Sequence, residues 1–191
     1  MPETLDAFSP SNEAHSHEKF SLNRGITHKQ ALQLIEFASN DTEVIDQTSD
    51  AKRFADRASL ERWLGKGGGR IIYTLADEQD NLCGIVWFGK EQMPKHDFIR
   101  DFDNEKYGIT FAIRTYSGAR GKHVSGKFMV GAIEDFIKRD FYKSTSNKGI
   151  WLETGESNIK ARASYEHNGW EYVTKPDKNN RLLMIYNSPE V

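Results

Sequence analysis

A strand-like run, a cationic turn and an amphipathic stripe follow one another without a break between residues 107 and 136. Residues 107–113 are rich in β-branched and aromatic side chains, which is typical of a strand. After the turn, apolar residues recur at helical spacing: Phe128, Met129, Ala132, Ile133 and Phe136. A strand followed directly by an amphipathic helix can bury the apolar faces of both elements when the helix packs on the sheet that contains the strand. This unit restricts the chain to folds of that kind.

The other segments extend the same arrangement. Thr27 and Gln30 form a capping-box pattern at the start of an amphipathic helix, and a second helical region ends at Gly65. The order is then a hairpin followed by strand, helix, strand, helix, strand and strand. We predict an α/β fold with a mixed, mostly antiparallel central sheet of six to seven strands and helices on both faces.

The chain length suits one domain. Residues 1–18 are polar and have no apolar period, which predicts a mobile tail. Residues 188–191 are predicted to form a second, short tail. A single domain is expected over residues 19–187. Residues 40–50 are interpreted as a polar connection. The long loop at residues 90–106 either faces a substrate or is a plain solvated connection.

Charge and cysteine usage exclude several classes of protein. The formal net charge is −2, so a general affinity for nucleic acid is not expected. Cys83 is the only cysteine, which rules out an intrachain disulfide and favours a buried thiol over a nucleophile. No segment has the apolar length of a signal peptide or membrane span, so the expected location is the cytoplasm. His15 and His17 alone do not indicate a metal site.

The turn that follows the strand carries the chemistry. Residues 113–127 contain Arg114, Arg120, Lys122 and Lys127, with no carboxylate between them. Free backbone N–H groups and the positive end of the following helix favour an anion at such a place. An ordinary turn with solvated charges is the alternative, but the single sign of the charges favours a phosphate or pyrophosphate site. We call residues 120–126 the basic loop.

One class of phosphate-binding protein fits this loop poorly. Residues 121–127 satisfy the spacing G-x-x-x-x-G-K of nucleotide-hydrolysing enzymes, between a strand and a helix. The next residue is Phe128, where that motif needs a Ser or Thr hydroxyl on the magnesium ion. Phe128 also belongs to the apolar stripe of the helix. A nucleotide hydrolase is therefore the less favoured alternative.

Residues 119–125 resemble the R-x-x-G-x-G/A loop of the GNAT acyltransferases, commonly R-G-K-G-x-G, starting on Arg120. In that family the backbone amides of this loop hold the pyrophosphate of coenzyme A. The match departs at His123, which occupies the first Gly position, and at Ser125, which occupies the Gly/Ala position. A side chain at His123 strains the loop if its backbone takes a positive φ.

A second segment resembles the same family. It combines the strand at residues 151–154 with the pattern N-x-x-A-x-x-x-Y-x-x-x-G-F, matched by Asn158, Ala161, Tyr165, Gly169 and Trp170. Spacings of three and four place the first three of these on one helix face. Taken alone, Tyr165 fits a core aromatic residue and Asn158 a helix start. Together with the loop upstream, the two matches favour the GNAT family.

The resemblance implies transfer of an acetyl group from acetyl-CoA to a primary amine by direct attack, without a metal. It implies Tyr165 as the proton donor to the departing thiolate and a backbone N–H near Ile113 for the developing oxyanion. The general base is left open, because neither Glu153 nor Glu105 is favoured over a solvated surface acid. The residues implied for coenzyme A are Ile113, Arg120, Gly121, Lys122, His123, Val124, Ser125, Gly126 and Asn158.

The expected acceptor is a small-molecule amine, a protein N-terminus or a lysine. No nucleic acid or membrane partner is expected, and a homodimer is left open. The alternative from another class is a non-catalytic acyl-CoA-binding or regulatory module, because the loop is substituted and no base is evident.

Overall fold

A computed structural model of the chain describes residues 4–8, 19–65 and 69–186. The strands are β1 (Thr4–Phe8), β2 (Phe20–Arg24), β3 (Arg70–Ala76), β4 (Leu82–Lys90), β5 (Ile109–Thr115), β6 (Ile150–Gly155), β7 (Trp170–Tyr172) and β8 (Arg181–Tyr186). The helices of the described residues are α1 (His28–Asn40), α2 (Thr42–Gln47), α3 (Asp50–Arg53), α4 (Arg57–Gly65), α5 (Ser125–Phe136), α6 (Asp140–Lys143) and α7 (Ile159–His167), with a 3₁₀ turn at Asn104–Lys106.

The strands form one sheet in the order β1-β2-β3-β4-β5-β6-β8-β7. β5 and β6 are parallel, whereas β1–β2, β2–β3, β6–β8 and β7–β8 are antiparallel. The predicted mixed, mostly antiparallel sheet is confirmed. It has eight strands, one more than the upper predicted count, because Thr4–Phe8 pairs with β2.

Three local predictions are corrected. Thr4–Phe8 lies in a strand, so the predicted tail does not hold for those residues, and the rest of residues 1–18 and 188–191 lies outside the described part. The polar stretch at 40–50 contains helix α2, which Asp41 caps. The strand expected at residues 107–113 begins and ends two residues later, as β5. Residues 66–68 of the glycine-rich connection also lie outside the described residues.

The chain divides into two units, Met1–Trp87 with Ile113–Ile133, and Phe88–Ala112 with Glu134–Val191. The single domain over residues 19–187 stays a prediction. In the first unit, the rings of Phe54 and Trp63 meet edge to face at 4.8 Å, and Trp63 meets Trp87 in the same way at 5.1 Å. This aromatic cluster forms the interior beneath the early helices.

Helix α5 is held close to β4 in the first unit. A Cβ on Gly84 would lie 3.0 Å from Phe128 Cε1 and 3.1 Å from the Arg114 carbonyl oxygen. Phe128 is fully buried, which confirms it as a residue of the apolar stripe. The absence of a side chain at Gly84 lets the helix that follows the basic loop approach the sheet.

The second unit has its own core. Trp170 contacts the rings of Phe111, Tyr165 and Tyr186, with centroid distances of 4.9, 6.0 and 5.4 Å. The loop between β4 and β5 contributes Phe98, Phe102 and Tyr107, which pack half-buried on a cluster that includes Trp151. That loop is therefore not a plain solvated connection, and its proposed contact with a substrate stays a prediction.

Candidate functional site

The turn between β5 and α5 is built on Tyr116. Its carbonyl oxygen accepts hydrogen bonds from the Ala119 N–H at 2.9 Å and from the Arg120 N–H at 3.0 Å. Gly121 and His123 take positive φ values of 76° and 54°, and the residues between and after them do not. Alternation of this kind turns successive N–H groups towards one concave side, a backbone arrangement that binds anions.

Six backbone donors follow this turn. Within the described part of the chain, no protein acceptor pairs with the N–H groups of residues 121 and 123–127. Four of the six arise because the first residues of a helix have no carbonyl one turn behind them. The first hydrogen bond into the α5 start is Phe128 N–H to Val124 oxygen, at 2.9 Å. The stretch therefore offers several N–H donors to an anion at the positive end of a helix.

The guanidinium of Arg120 is engaged by carboxylates. Arg120 Nη2 donates to Asp41 Oδ1 at 2.9 Å, and Nε lies 3.1 Å from Glu43 Oε2. Arg114 Nε similarly donates to Asp50 Oδ2 at 2.8 Å. The loop itself contains no carboxylate, as the sequence shows, but these two arginines are balanced by carboxylates from elsewhere in the chain. Their partners come from α2 and α3, 79 and 64 residues away along the chain, so counting charges within the loop missed them.

Asp50 is a buried charge that the sequence did not single out. Its side chain has no exposed surface and is paired with both Arg53 and Arg114. The two guanidinium carbons lie 5.6 and 4.9 Å from the ring centroid of Trp87. A buried carboxylate needs this pairing, because an isolated charge in the interior costs several kcal/mol, as an order of magnitude. Arg53 is a neighbour three residues along the same helix, but Arg114 is brought to Asp50 only by the fold.

Tyr116 lies beside these ion pairs. It is buried and stacks on Phe37 at 4.4 Å. Burial raises the pKa of its hydroxyl far above the usual value, and the negative charge of Asp50 adds to that shift while Arg114 opposes it. The hydroxyl is therefore held protonated between charged neighbours.

The other cationic and polar side chains of the basic loop are more open. The Lys122 ammonium lies 5.5 Å from the ring centroid of Phe20. His123 and Lys127 are exposed, and Val124 is buried while Ser125 is half-buried. The loop thus anchors itself in the first unit through Val124 and presents His123 to solvent.

Two further predicted site residues lie in the second unit. Asn158 is the N-cap of α7, where its Oδ1 accepts from the Ala161 N–H at 3.4 Å. Tyr165 is buried on the same helix beside Trp170. Asn158 is therefore a helix N-cap and Tyr165 a core aromatic residue, as each fits when taken alone. The coenzyme A contact of Asn158 and the proton-donor role of Tyr165 stay predictions.

The two acids left open as bases differ in their surroundings. Glu153 Oε1 lies 2.6 Å from Arg181 Nε in a partly exposed ion pair. Glu105 is exposed in the 3₁₀ turn, where its own N–H donates to Asp103. Neither has a burial or partner that marks it as a base, so the general base stays unassigned.

The parallel pair of strands separates early in the second unit. β5 and β6 pair only at Ile109 with Ile150 and at Thr110 with Trp151. β6 continues to Gly155 and pairs with β8 along its length. Beyond Trp151, the β5-facing edge of β6 has no strand partner among the described residues. Backbone groups at such an edge are available to a ligand.

The structure also bears on metals and membranes. No group of three or more His, Cys, Asp or Glu side chains in the described residues is arranged to hold a metal ion. None of the helices in that part of the chain combines the length and apolarity needed to cross a bilayer.

Comparison with solved structures identifies the fold. The chain is similar to a domain from Methanocaldococcus jannaschii DSM 2661, with a TM-score of 0.62 and 16% identity over 90% of this chain and 99% of that one. It is similar to a GNAT-family acetyltransferase from Streptococcus agalactiae 2603, with a TM-score of 0.58 and 16% identity over 88% and 96% of the two chains.

A third similar structure is spermidine N-acetyltransferase from Vibrio cholerae in complex with CoA and spermine, with a TM-score of 0.58 and 14% identity over 86% and 92%. No protein-family model and no curated protein matches the sequence. The chain has the fold of the GNAT acetyltransferases, as the two sequence motifs predicted.

Proposed function

We propose that this chain is a cytoplasmic N-acyltransferase that moves an acetyl group from acetyl-CoA to a primary amine by direct attack. The observation that carries the proposal is the row of N–H groups at residues 121 and 123–127, which have no acceptor in the described chain, at the start of α5. A pyrophosphate supplies the acceptor oxygens that these donors need. The GNAT fold supports the same ligand.

The basic loop is proposed to bind coenzyme A through its backbone, with side-chain donors added by Arg120 and Lys122. Gly121 and His123 set the curvature of that backbone through their positive φ values. The N–H near Ile113 is the proposed donor to the oxyanion, because an N–H fixed in a strand needs no reorganisation as charge develops. Asn158 is proposed to contact the coenzyme from the start of α7.

Tyr165 is proposed to give its proton to the departing thiolate of coenzyme A. The attacking amine must also lose a proton, since its pKa of about 10 keeps it charged at neutral pH. A base or a water chain takes that proton. The acceptor is a small amine, a protein N-terminus or a lysine.

A non-catalytic acyl-CoA-binding module is the second candidate. The ion pair between Glu153 and Arg181 favours it, because that pairing engages one of the two acids considered as bases. A nucleotide hydrolase is not proposed, since Phe128 is fully buried where a metal-binding hydroxyl would be required.

Thermal unfolding with ligands tests the binding claim. Acetyl-CoA at about a hundredfold excess over its Kd is expected to stabilise the chain by about 2.7 kcal/mol, and ATP with magnesium is not. Stabilisation by ATP with magnesium alone would overturn the proposal. Release of free thiol with a panel of amines then separates an enzyme from a binding module.

The variant Tyr165→Phe tests the catalytic claim. We expect kcat to fall about a hundredfold with little change in KM for acetyl-CoA, because only the transition state uses the proton donor. Tyr186→Phe is the matched control, since Tyr186 also packs on Trp170. Full activity of Tyr165→Phe at every pH would remove Tyr165 from the mechanism.

A further inference from the structure

The Arg120 guanidinium is shared between a half-buried and an exposed carboxylate. Asp41 accepts from Nη2 at 2.9 Å and Glu43 lies 3.1 Å from Nε, with side-chain exposures of 9% and 66%. A guanidinium has five N–H donors, so this pairing leaves donors for a further acceptor. The two carboxylates give the group of three side chains a net charge of −1. The remaining donors are still available, but the positive charge of Arg120 is cancelled.

A phosphate that binds at the basic loop would lie near Arg120 and its two carboxylate partners. At the exposed end of the pair, Glu43 Oε2 lies 3.1 Å from Arg120 Nε, so a ligand anion has to compete with this carboxylate for the charge and the donors of Arg120. Asp41 Oδ1 accepts from the Val44 N–H and from Arg120 Nη2, not from the N–H groups of residues 121 and 123–127. The affinity of the loop for phosphates is therefore set by its amides and reduced by the partners of Arg120.

We propose that Glu43 and Asp41 lower the affinity of the basic loop for the phosphates of acyl-CoA by neutralising Arg120. The inference rests on the proposed acyl-CoA function. Weaker binding of the coenzyme at this loop speeds the release of the free coenzyme after transfer. Neither Glu43 nor Asp41 is among the residues proposed to take part in the transfer, so the rate of the chemical step is expected not to depend on them.

The variant Glu43→Gln tests the inference with wild-type chain as reference. We expect the Kd for coenzyme A and the KM for acetyl-CoA to fall about two- to fivefold with unchanged single-turnover rate, the range that an exposed ion pair supplies. Glu61→Gln is the matched control, since Glu61 forms an exposed pair with Arg57 at 2.8 Å elsewhere in the first unit. An unchanged or raised Kd in Glu43→Gln overturns the inference.

A second variant separates action through Arg120 from direct repulsion. In an Arg120→Gln background, Glu43→Gln is expected to leave the Kd for coenzyme A nearly unchanged, because the two residues act as one unit. Equal tightening in both backgrounds would mean that Glu43 acts on the ligand itself, and the inference would be wrong. Asp41→Asn removes the inner charge while keeping a helix cap, and it is expected to tighten binding more than Glu43→Gln.

The failure of this inference is distinguishable from failure of the proposed function. Calorimetry of the wild-type chain with coenzyme A comes first: absence of binding there contradicts the function. Binding by the wild type with no response to Glu43→Gln contradicts only the role of Glu43 and Asp41.

Discussion

Two residues of the turn hold a backbone conformation that most amino acids avoid. Gly121 has φ of 76° and His123 has φ of 54°. The left-handed region costs a residue with a Cβ roughly 1–2 kcal/mol, and glycine carries no such cost. The backbone is therefore strained at His123 and unstrained at Gly121, whereas the GNAT motif R-G-K-G-x-G has glycine at both positions.

Replacing these two residues separates the backbone cost from packing. We expect His123→Gly to raise the free energy of unfolding by about 1 kcal/mol and Gly121→Ala to lower it by about 1 kcal/mol. A Cβ on Gly121 meets no atom within 4 Å, so the loss comes from φ alone. Chemical denaturation measures both changes, and His123→Ala, which keeps a Cβ, should stay close to the wild type. A Gly121→Ala variant as stable as the wild type contradicts this account.

The sequence predicted the chemistry of the basic loop better than its side-chain partners. The departure at His123 was visible in the motif, and the condition stated for strain is met, since His123 has a positive φ. Arg120 and Arg114, in contrast, pair with Asp41 and Asp50, and nothing local to the loop indicated these contacts. Pairing between residues so distant along the chain depends on the packed fold, which a local pattern cannot contain.

Asp41 joins two helices and the basic loop. Its N–H donates to the Phe37 carbonyl at 3.0 Å as the C-cap of α1, and its Oδ1 accepts from the Val44 N–H at 3.2 Å as the N-cap of α2. The same oxygen accepts from Arg120 at 2.9 Å. A single carboxylate therefore fixes the α1–α2 corner against the loop.

Asp41→Ala removes both functions of that oxygen, and Asp41→Asn removes only the charge. We expect Asp41→Ala to lose about 1–2 kcal/mol of unfolding free energy, because Ala is a poor N-cap, and Asp41→Asn to lose less. Urea denaturation measures the loss, and hydrogen exchange across residues 42–47 should rise most in Asp41→Ala. Equal losses in the two variants would show that the charge, rather than the cap, matters.

Among the helices and strands, sequence patterns predicted those with clear capping or periodicity and missed the short ones. The capping box at Thr27 and Gln30 is confirmed at the start of α1. Helix α2 was missed, because six residues that carry few apolar side chains give no clear period. β1 was missed because its pairing with β2 supplies its stability. Short elements of this kind are set by their neighbours.

The prediction of the whole fold depended on the resemblance to the GNAT family as much as on the hydrophobic patterns of the segments. The order of strands and helices predicted a sheet with packed helices, and the two motifs narrowed the choice to GNAT. The parallel pairing of β5 with β6 next to antiparallel β6–β8 was not contained in any strand's own sequence. Strand direction follows from the connections, and the order of elements alone left several topologies open.

The alkaline stability of the molecule offers a global test of how tightly its tyrosines are packed. Burial raises the pKa of Tyr107, Tyr142 and Tyr186, and of Tyr116 most of all. A folded-state pKa above the unfolded value contributes stability that is present below about pH 10 and is lost as pH rises through the folded pKa. The unfolding free energy is therefore expected to fall above pH 10.

Tyr116→Phe removes the residue with the largest shift. Above about pH 10, we expect the slope of unfolding free energy against pH to become shallower by about 1.4 kcal/mol per pH unit, one proton's worth of linkage. Urea denaturation between pH 8 and 11.5 measures the slope, which is independent of any constant change in packing caused by the lost hydroxyl. Tyr142→Phe, at a half-buried site, is expected to change the slope over a narrower pH range above about pH 10 than Tyr116→Phe, since its hydroxyl is less buried. An identical slope for wild type and Tyr116→Phe would mean that Tyr116 ionises as readily in the folded chain as in the unfolded one. Burial between Phe37 and the two aspartate–arginine pairs argues for the opposite, because neither apolar packing nor the nearby Asp50 charge favours a phenolate.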